Sequence, residues 1–161
     1  MYEKYENVWE ALENSWYMPQ FTKYGQFIIL AMLVLMVLYY ALTHFTRLKG
    51  RFTLKNYIYS GLLGITAGVG VNSAFMGFIA SVSQEMNLKY PIEIAVHSFV
   101  MMAAFVVFLF LLCFYFTGRK EGHGGVGLLL DTVYSILLIP CAGTVYYFLF
   151  GFIEVAYNFY K

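Results

Sequence analysis

The stretch Asn56–Gln84, NYIYSGLLGITAGVGVNSAFMGFIASVSQ, decides the fold because it contains no charged side chain. Three further uncharged runs cover Tyr24–Thr46, Ile94–Gly118 and Thr132–Ile153. Each run exceeds the roughly 20 residues that a helix needs to cross a hydrocarbon core of about 30 Å. The sequence therefore predicts an all-α integral membrane protein, a four-transmembrane-helix bundle with spans at about 25–45, 57–82, 92–117 and 128–152.

Composition and length exclude most soluble functions. Of the 161 residues, 61% are hydrophobic and 12% are charged, whereas soluble domains carry about 25% charged residues. The segments outside the spans are shorter than the roughly 50 residues of a small domain, so we expect one transmembrane domain over 24–157 and no ATPase or nucleotide-binding domain. A net charge of +1 gives no attraction to nucleic acid. The acidic, aromatic start does not resemble a cleavable signal peptide, so we expect the first span to stay in the mature protein.

The segment before the first span has the pattern of an amphipathic helix. Aromatic and aliphatic side chains recur every three or four residues at Tyr2, Tyr5, Trp9, Leu12 and Trp16. Four glutamates fall on the other face, and Pro19 is expected to end the helix. The pattern predicts an N-terminal helix over 1–20 that lies in the bilayer interface or packs on a neighbouring subunit. The sequence leaves both alternatives open.

The second span differs from the others because small residues occupy several of its sides. Gly61, Gly64, Gly68 and Gly77 lie along it. Small residues let helix backbones approach closely where lipid supplies no hydrophobic drive. We therefore predict that these glycines are helix-packing positions and that the second span is the packing hub. Asn72, near its midpoint, is a candidate polar residue.

The loops predict an orientation. Lysine and arginine concentrate in the first and third loops, which therefore face the cytoplasm, while both termini lie outside. A plasma membrane or a bacterial inner membrane fits this arrangement. The stretch Phe45–Gly50 also resembles Phe116–Gly122. A duplicated helical hairpin would explain this likeness, but so would any basic loop that follows an aromatic span.

Ionisable residues within a membrane are candidates for function. Glu93 and His97 are four residues apart and share a helix face. With Glu154 at the same predicted depth, they could form a cation or metal site near the outer surface. The favoured interpretation is structural, with Glu93 complementing the helix dipole and His97 bonding to Glu93. Asp131 is interpreted in the same way, as a dipole complement or the partner of a basic residue in the third loop. No ionisable residue is predicted at the midplane, which argues against a proton pump.

Three functions follow, of which the sequence favours the first and leaves the other two as alternatives. The first is a non-catalytic subunit of a larger membrane complex, with the lipid bilayer and other membrane subunits or copies of itself as partners and with no cofactor, metal or catalytic residue. The second is a small homo-oligomeric channel or transporter. The third is a membrane redox or haem-binding subunit, which His44 and His97 disfavour because they lie near opposite surfaces. Cys113 and Cys141 are interpreted as small hydrophobic residues.

Overall fold

The computed structural model of the protein describes residues 5–45, 54–87, 91–118 and 125–160, and every element within these ranges is helical. The elements are α1 (Val8–Glu13), α2 (Tyr17–Gln20), a π-helical turn (Phe21–Gly25), α3 (Gln26–Phe45), α4 (Leu54–Asn87), α5 (Pro91–Gly118) and α6 (Gly125–Tyr160).

Four helical segments are long and apolar enough to cross a membrane. They are Tyr17–Leu42, Leu54–Val82, Ala95–Phe116 and Gly127–Tyr160. This confirms the prediction of a multi-pass helical protein whose apolar helices suit a lipid environment. The fourth segment continues past the predicted end because Glu154 is accommodated within α6, where its carboxylate accepts a hydrogen bond from Tyr17.

The N-terminal segment differs from the single helix predicted over 1–20. Helix α1 ends at Glu13 and is capped at its start by Asn7, whose side chain accepts from the Glu10 amide at 2.9 Å. The prediction that Pro19 ends a helix is wrong, because Pro19 lies in the first turn of α2. The amide of a first-turn residue has no partner within the helix, so proline is tolerated there. Residues 1–4 lie outside the described part of the chain.

Helix α4 packs against both α5 and α6, and α3 packs against α6. Helix α1 packs against the C-terminal part of α6 through a buried cluster of Ala11, Leu12 and Val155. The start and the end of the chain therefore lie at the same end of the molecule.

Glycines bring α4 and α6 into backbone contact. A β carbon added at Gly64 would lie 2.5 Å from the carbonyl oxygen of Ser135, and one at Gly68 would collide with the carbonyl oxygen of Ile139. Gly61 faces the same helix, where an added β carbon would lie 3.2 Å from the Tyr134 hydroxyl. Only glycine permits so close an approach at positions 64 and 68.

The contact of α4 with α5 is looser. A β carbon added at Gly70 would lie 3.4 Å from the β carbon of Ala104, and one added at Gly77 would lie 3.4 Å from the β carbon of His97. Both distances are ordinary van der Waals contacts. Side chains, rather than the two backbones, therefore set the separation of these two helices.

Candidate functional site

Asp131 is a buried side chain, 2% exposed, that connects three helices. One of its carboxylate oxygens accepts a hydrogen bond from the Tyr39 hydroxyl of α3. The other accepts from the Tyr115 hydroxyl of α5 at 2.5 Å. We call these three residues the Asp131 cluster. Hydrogen bonds to a charged group contribute more than neutral ones, so the cluster is a strong polar connection between α3, α5 and α6.

A stack of tyrosine rings positions the Tyr39 hydroxyl. The Tyr39 and Tyr134 rings are nearly parallel, with centroids 4.1 Å apart, and the Tyr57 ring lies 5.7 Å from the Tyr134 ring. The Tyr57 hydroxyl also donates to the carbonyl of Met36 at 3.3 Å. Packed aromatic rings restrict one another's rotation, so the stack holds Tyr39 where it reaches Asp131.

A second group of buried polar side chains connects α4, α5 and α6 and contains His97, Tyr146 and Ser73. His97 is 1% exposed, and its Nδ1 lies 3.1 Å from the Tyr146 hydroxyl. That hydroxyl donates to Ser73 Oγ at 3.4 Å, and Ser73 Oγ donates to the carbonyl of His97 at 2.6 Å. The hydrogen bonds form a closed ring when Nδ1 carries the imidazole proton. We call these three residues the His97 cluster.

Two of the three residues considered for a cation site are described, His97 and Glu154, and each lies within hydrogen-bond distance of a tyrosine hydroxyl. The Glu93 side chain lies outside the described part of the protein, so its bond to His97 stays a prediction. Glu154 accepts from the Tyr17 hydroxyl at 2.9 Å. Among the described residues, no three His, Cys, Asp or Glu side chains come together in a group that could hold a metal ion. The interpretation of Glu93, His97 and Glu154 as a cation site has no geometric support from the described residues.

Asn72, Cys113 and Cys141 belong to neither the Asp131 cluster nor the His97 cluster. Asn72 faces Gly143 of α6, and its Nδ2 is buried with no hydrogen-bond partner among the described atoms. Cys113 is exposed and Cys141 is half-buried, and neither forms a disulfide bond among the described residues. The basic residues of the third loop, expected as partners of Asp131, lie outside the described residues.

Sequence reasoning missed the tyrosines of the Asp131 cluster, although a signal was present. Tyr39 lies near the end of the first span, Tyr115 near the end of the third, and Asp131 near the start of the fourth. Connected spans alternate in direction, so these three positions share one membrane level. Their shared depth in the membrane could have predicted that these three side chains lie near one another.

Comparisons with protein-family models, with curated proteins and with solved structures gave no match to this chain.

Proposed function

We propose that the protein is a non-catalytic subunit of a larger membrane complex, bound to its partner through the outer groove between α4 and α5. This groove has a volume of about 370 Å³ and is lined by Ala67, Gly70, Ala74 and Ala104 together with bulkier apolar residues. Small residues are enriched where a second helix approaches. The groove is the single observation that carries the proposal.

The glycines of α4 support this proposal because their contacts lie within the chain, which leaves another side of α4 for a partner. Gly61, Gly64 and Gly68 face α6 of the same chain, so they are not free to contact a partner. Ala74 and Val71 lie on another side of α4 and are exposed, with Val71 at 62%. A partner helix laid on them would bury apolar surface and fill the groove.

The proposal extends to the arrangement of the helices, termini and loops in the membrane. We propose that the four spans close into a bundle in the membrane, with α1 at the interface. We also propose that both termini face outward and that the basic loops face the cytoplasm. A cysteine introduced as Lys49→Cys, in a chain without Cys113 and Cys141, should react with an impermeant reagent only after the cells are opened. Labelling of intact cells would overturn the orientation.

The test of the subunit proposal is purification in mild detergent of the native chain and two variants. Ala74→Phe fills the groove, while Leu62→Phe adds bulk to an exposed position of the same helix outside it. We expect a defined set of other membrane proteins to co-purify with the native chain and with Leu62→Phe, and to be lost from Ala74→Phe. Circular dichroism should show that both variants remain helical.

Other outcomes of this experiment contradict the proposal. A monomer, or equal recovery of partners with both variants, would remove the groove as the binding surface. A homo-oligomer would support the channel or transporter instead. A Soret band in the visible spectrum would support haem binding.

A further inference from the structure

The structure contains a second groove, between α4, α5 and α6. The groove is apolar along most of its length and polar at one end. Its volume is about 230 Å³. Leu63, Ala67, Phe108 and Ile139 line the apolar part, and Asp131 lies at the polar end. A concave, mostly apolar cavity with a few polar groups at one place is the usual form of a small-molecule site. We call it the Asp131 groove.

The hydroxyl groups at the polar end of the groove have already donated their protons. Tyr115 donates to Asp131 at 2.5 Å, and Thr132 donates to the carbonyl of Leu128 at 2.7 Å. The remaining two lining hydroxyls also donate to main-chain carbonyls, Ser60 to that of Tyr57 at 3.1 Å and Ser135 to that of Ser60 at 2.6 Å. The polar end therefore offers acceptor lone pairs and a carboxylate to a ligand.

A ligand that fits this end must donate hydrogen bonds. Among the described residues at this end, a carboxylate or phosphate would meet acceptors and a like charge. An inorganic cation such as Ca²⁺ takes six to eight oxygen ligands, which the apolar walls of the groove do not supply. An organic ammonium satisfies both parts, since its N–H groups meet the acceptors and its apolar body lies along the walls.

We propose that the Asp131 groove binds a lipophilic ammonium, a small apolar molecule with one protonated amine. The ammonium pairs with Asp131, and its apolar body contacts Phe108 and Ala67. Tyr115 lines the groove beside Asp131 and donates its hydroxyl proton to the carboxylate. Such molecules partition into the bilayer, so the ligand reaches the groove from the lipid. The site does not rest on the subunit proposal, because Asp131 lines this groove and not the groove between α4 and α5, although Ala67 and Phe108 line both.

The experiment measures binding of 4-(4-fluorophenyl)butylammonium to the full-length protein in nanodiscs of zwitterionic lipid, by ¹⁹F NMR against empty nanodiscs. The corresponding alcohol is the neutral probe. Glu154→Gln is the matched control for Asp131→Asn, because Glu154 also accepts from a tyrosine but does not line the groove. We expect Asp131→Asn to weaken ammonium binding about 10-fold or more, an energy change of about 1.4 kcal/mol, and Glu154→Gln to leave it unchanged.

A variant of the apolar wall keeps the proposal testable if Asp131→Asn does not fold. Ala67→Leu narrows the groove with the carboxylate intact, and it should weaken binding of the ammonium. The native protein should bind the alcohol far more weakly than the ammonium. Equal binding of the two probes, or equal binding by the native protein and Ala67→Leu, would overturn the proposal.

Discussion

The two faces of α4 join it to its neighbours by different means. Toward α6, glycines place main-chain atoms of the two helices in direct contact, whereas toward α5 the glycines leave room for a β carbon. Each interface has one serine hydroxyl that donates to a carbonyl of the other helix at 2.6 Å. Ser135 of α6 donates to the Ser60 carbonyl of α4, and Ser73 of α4 donates to the His97 carbonyl of α5. The polar contacts are therefore alike, while the packing is not.

This difference shows where the protein can tolerate change. Packed cores are not continuously deformable, so a contact between two backbones has no flexible atom that can move away. A contact through side chains can adjust by a change of rotamer. We therefore expect the α6 face of α4 to be sensitive to volume. The α5 face should be sensitive to the loss of hydrogen bonds.

The largest effect is expected for Gly68→Leu. Its β carbon alone would meet the Ile139 carbonyl and lie 2.9 Å from the β carbon of Ala142, so the larger side chain must separate α4 from α6. We expect a loss of more than about 3 kcal/mol, measured as the fall in folded fraction on heating in detergent. Val34→Leu, at an exposed position of α3, is the control and should behave as the native protein. Equal melting of the two variants would remove α4 as the packing hub.

The addition of a single methyl group at one glycine of each face compares how tightly the two faces of α4 are packed. Gly68→Ala should cost about 1–3 kcal/mol, because the added carbon meets backbone atoms. Gly70→Ala should be neutral or stabilising, since its added carbon makes an ordinary contact at 3.4 Å with Ala104 and alanine favours helix. Denaturant titration monitored by circular dichroism measures both. If Gly70→Ala proves as damaging as Gly68→Ala, the two faces do not differ in tightness.

Removal of a serine hydroxyl should cost more stability at the α5 face of α4 than at the α6 face, which is the opposite of the order expected for added volume. Ser73→Ala leaves the Tyr146 hydroxyl without its acceptor as well as breaking the bond to the His97 carbonyl, so we expect a loss of about 1–1.7 kcal/mol. Ser135→Ala breaks the bond to the Ser60 carbonyl and should cost about 0.6 kcal/mol, the average for hydrogen bonds between membrane helices. The same titration compares them. A larger loss for Ser135→Ala would contradict the closed ring of the His97 cluster.

A small loss of stability, comparable with that of Ser135→Ala, is expected for Tyr146→Phe. The hydroxyl accepts from His97 at 3.1 Å and donates to Ser73 at 3.4 Å, so the bonds lost are long and neutral. We expect a loss of about 0.5–1 kcal/mol. In the double variant with Ser73→Ala, the two losses should sum to more than the measured loss, since both substitutions remove the same bond. Full additivity would show that the two hydroxyls do not interact.

Much of the fold could be predicted from the sequence because membrane crossing is a local property. Runs of apolar residues longer than about 20 define the spans, and all four were found within a few residues except at the chain ends. The first span was predicted to begin near Gly25, yet the membrane-crossing segment begins at Tyr17. The prediction followed the uncharged run, which begins after Lys23, whereas the helical segment continues through that lysine.

The candidate sites were harder to predict because they depend on which helices are neighbours. His97 was paired with Glu93 from its spacing along one helix, whereas its described partner is Tyr146 of another helix. Asp131 was assigned to the helix dipole, and its two tyrosine donors come from α3 and α5. Hydropathy places each residue at a depth but does not tell how the helices are rotated.

The sequence by itself determined that the chain is helical, with four segments long and apolar enough to cross a membrane and little charge within them. Those properties follow from the cost of exposing backbone polar groups to hydrocarbon, which each apolar segment meets on its own. Only the tertiary structure decided that the glycines of α4 serve contacts within the chain, and that Asp131 ends a groove whose hydroxyl protons are already donated. These depend on the rotation and order of the helices, which packing between segments selects and no single segment contains.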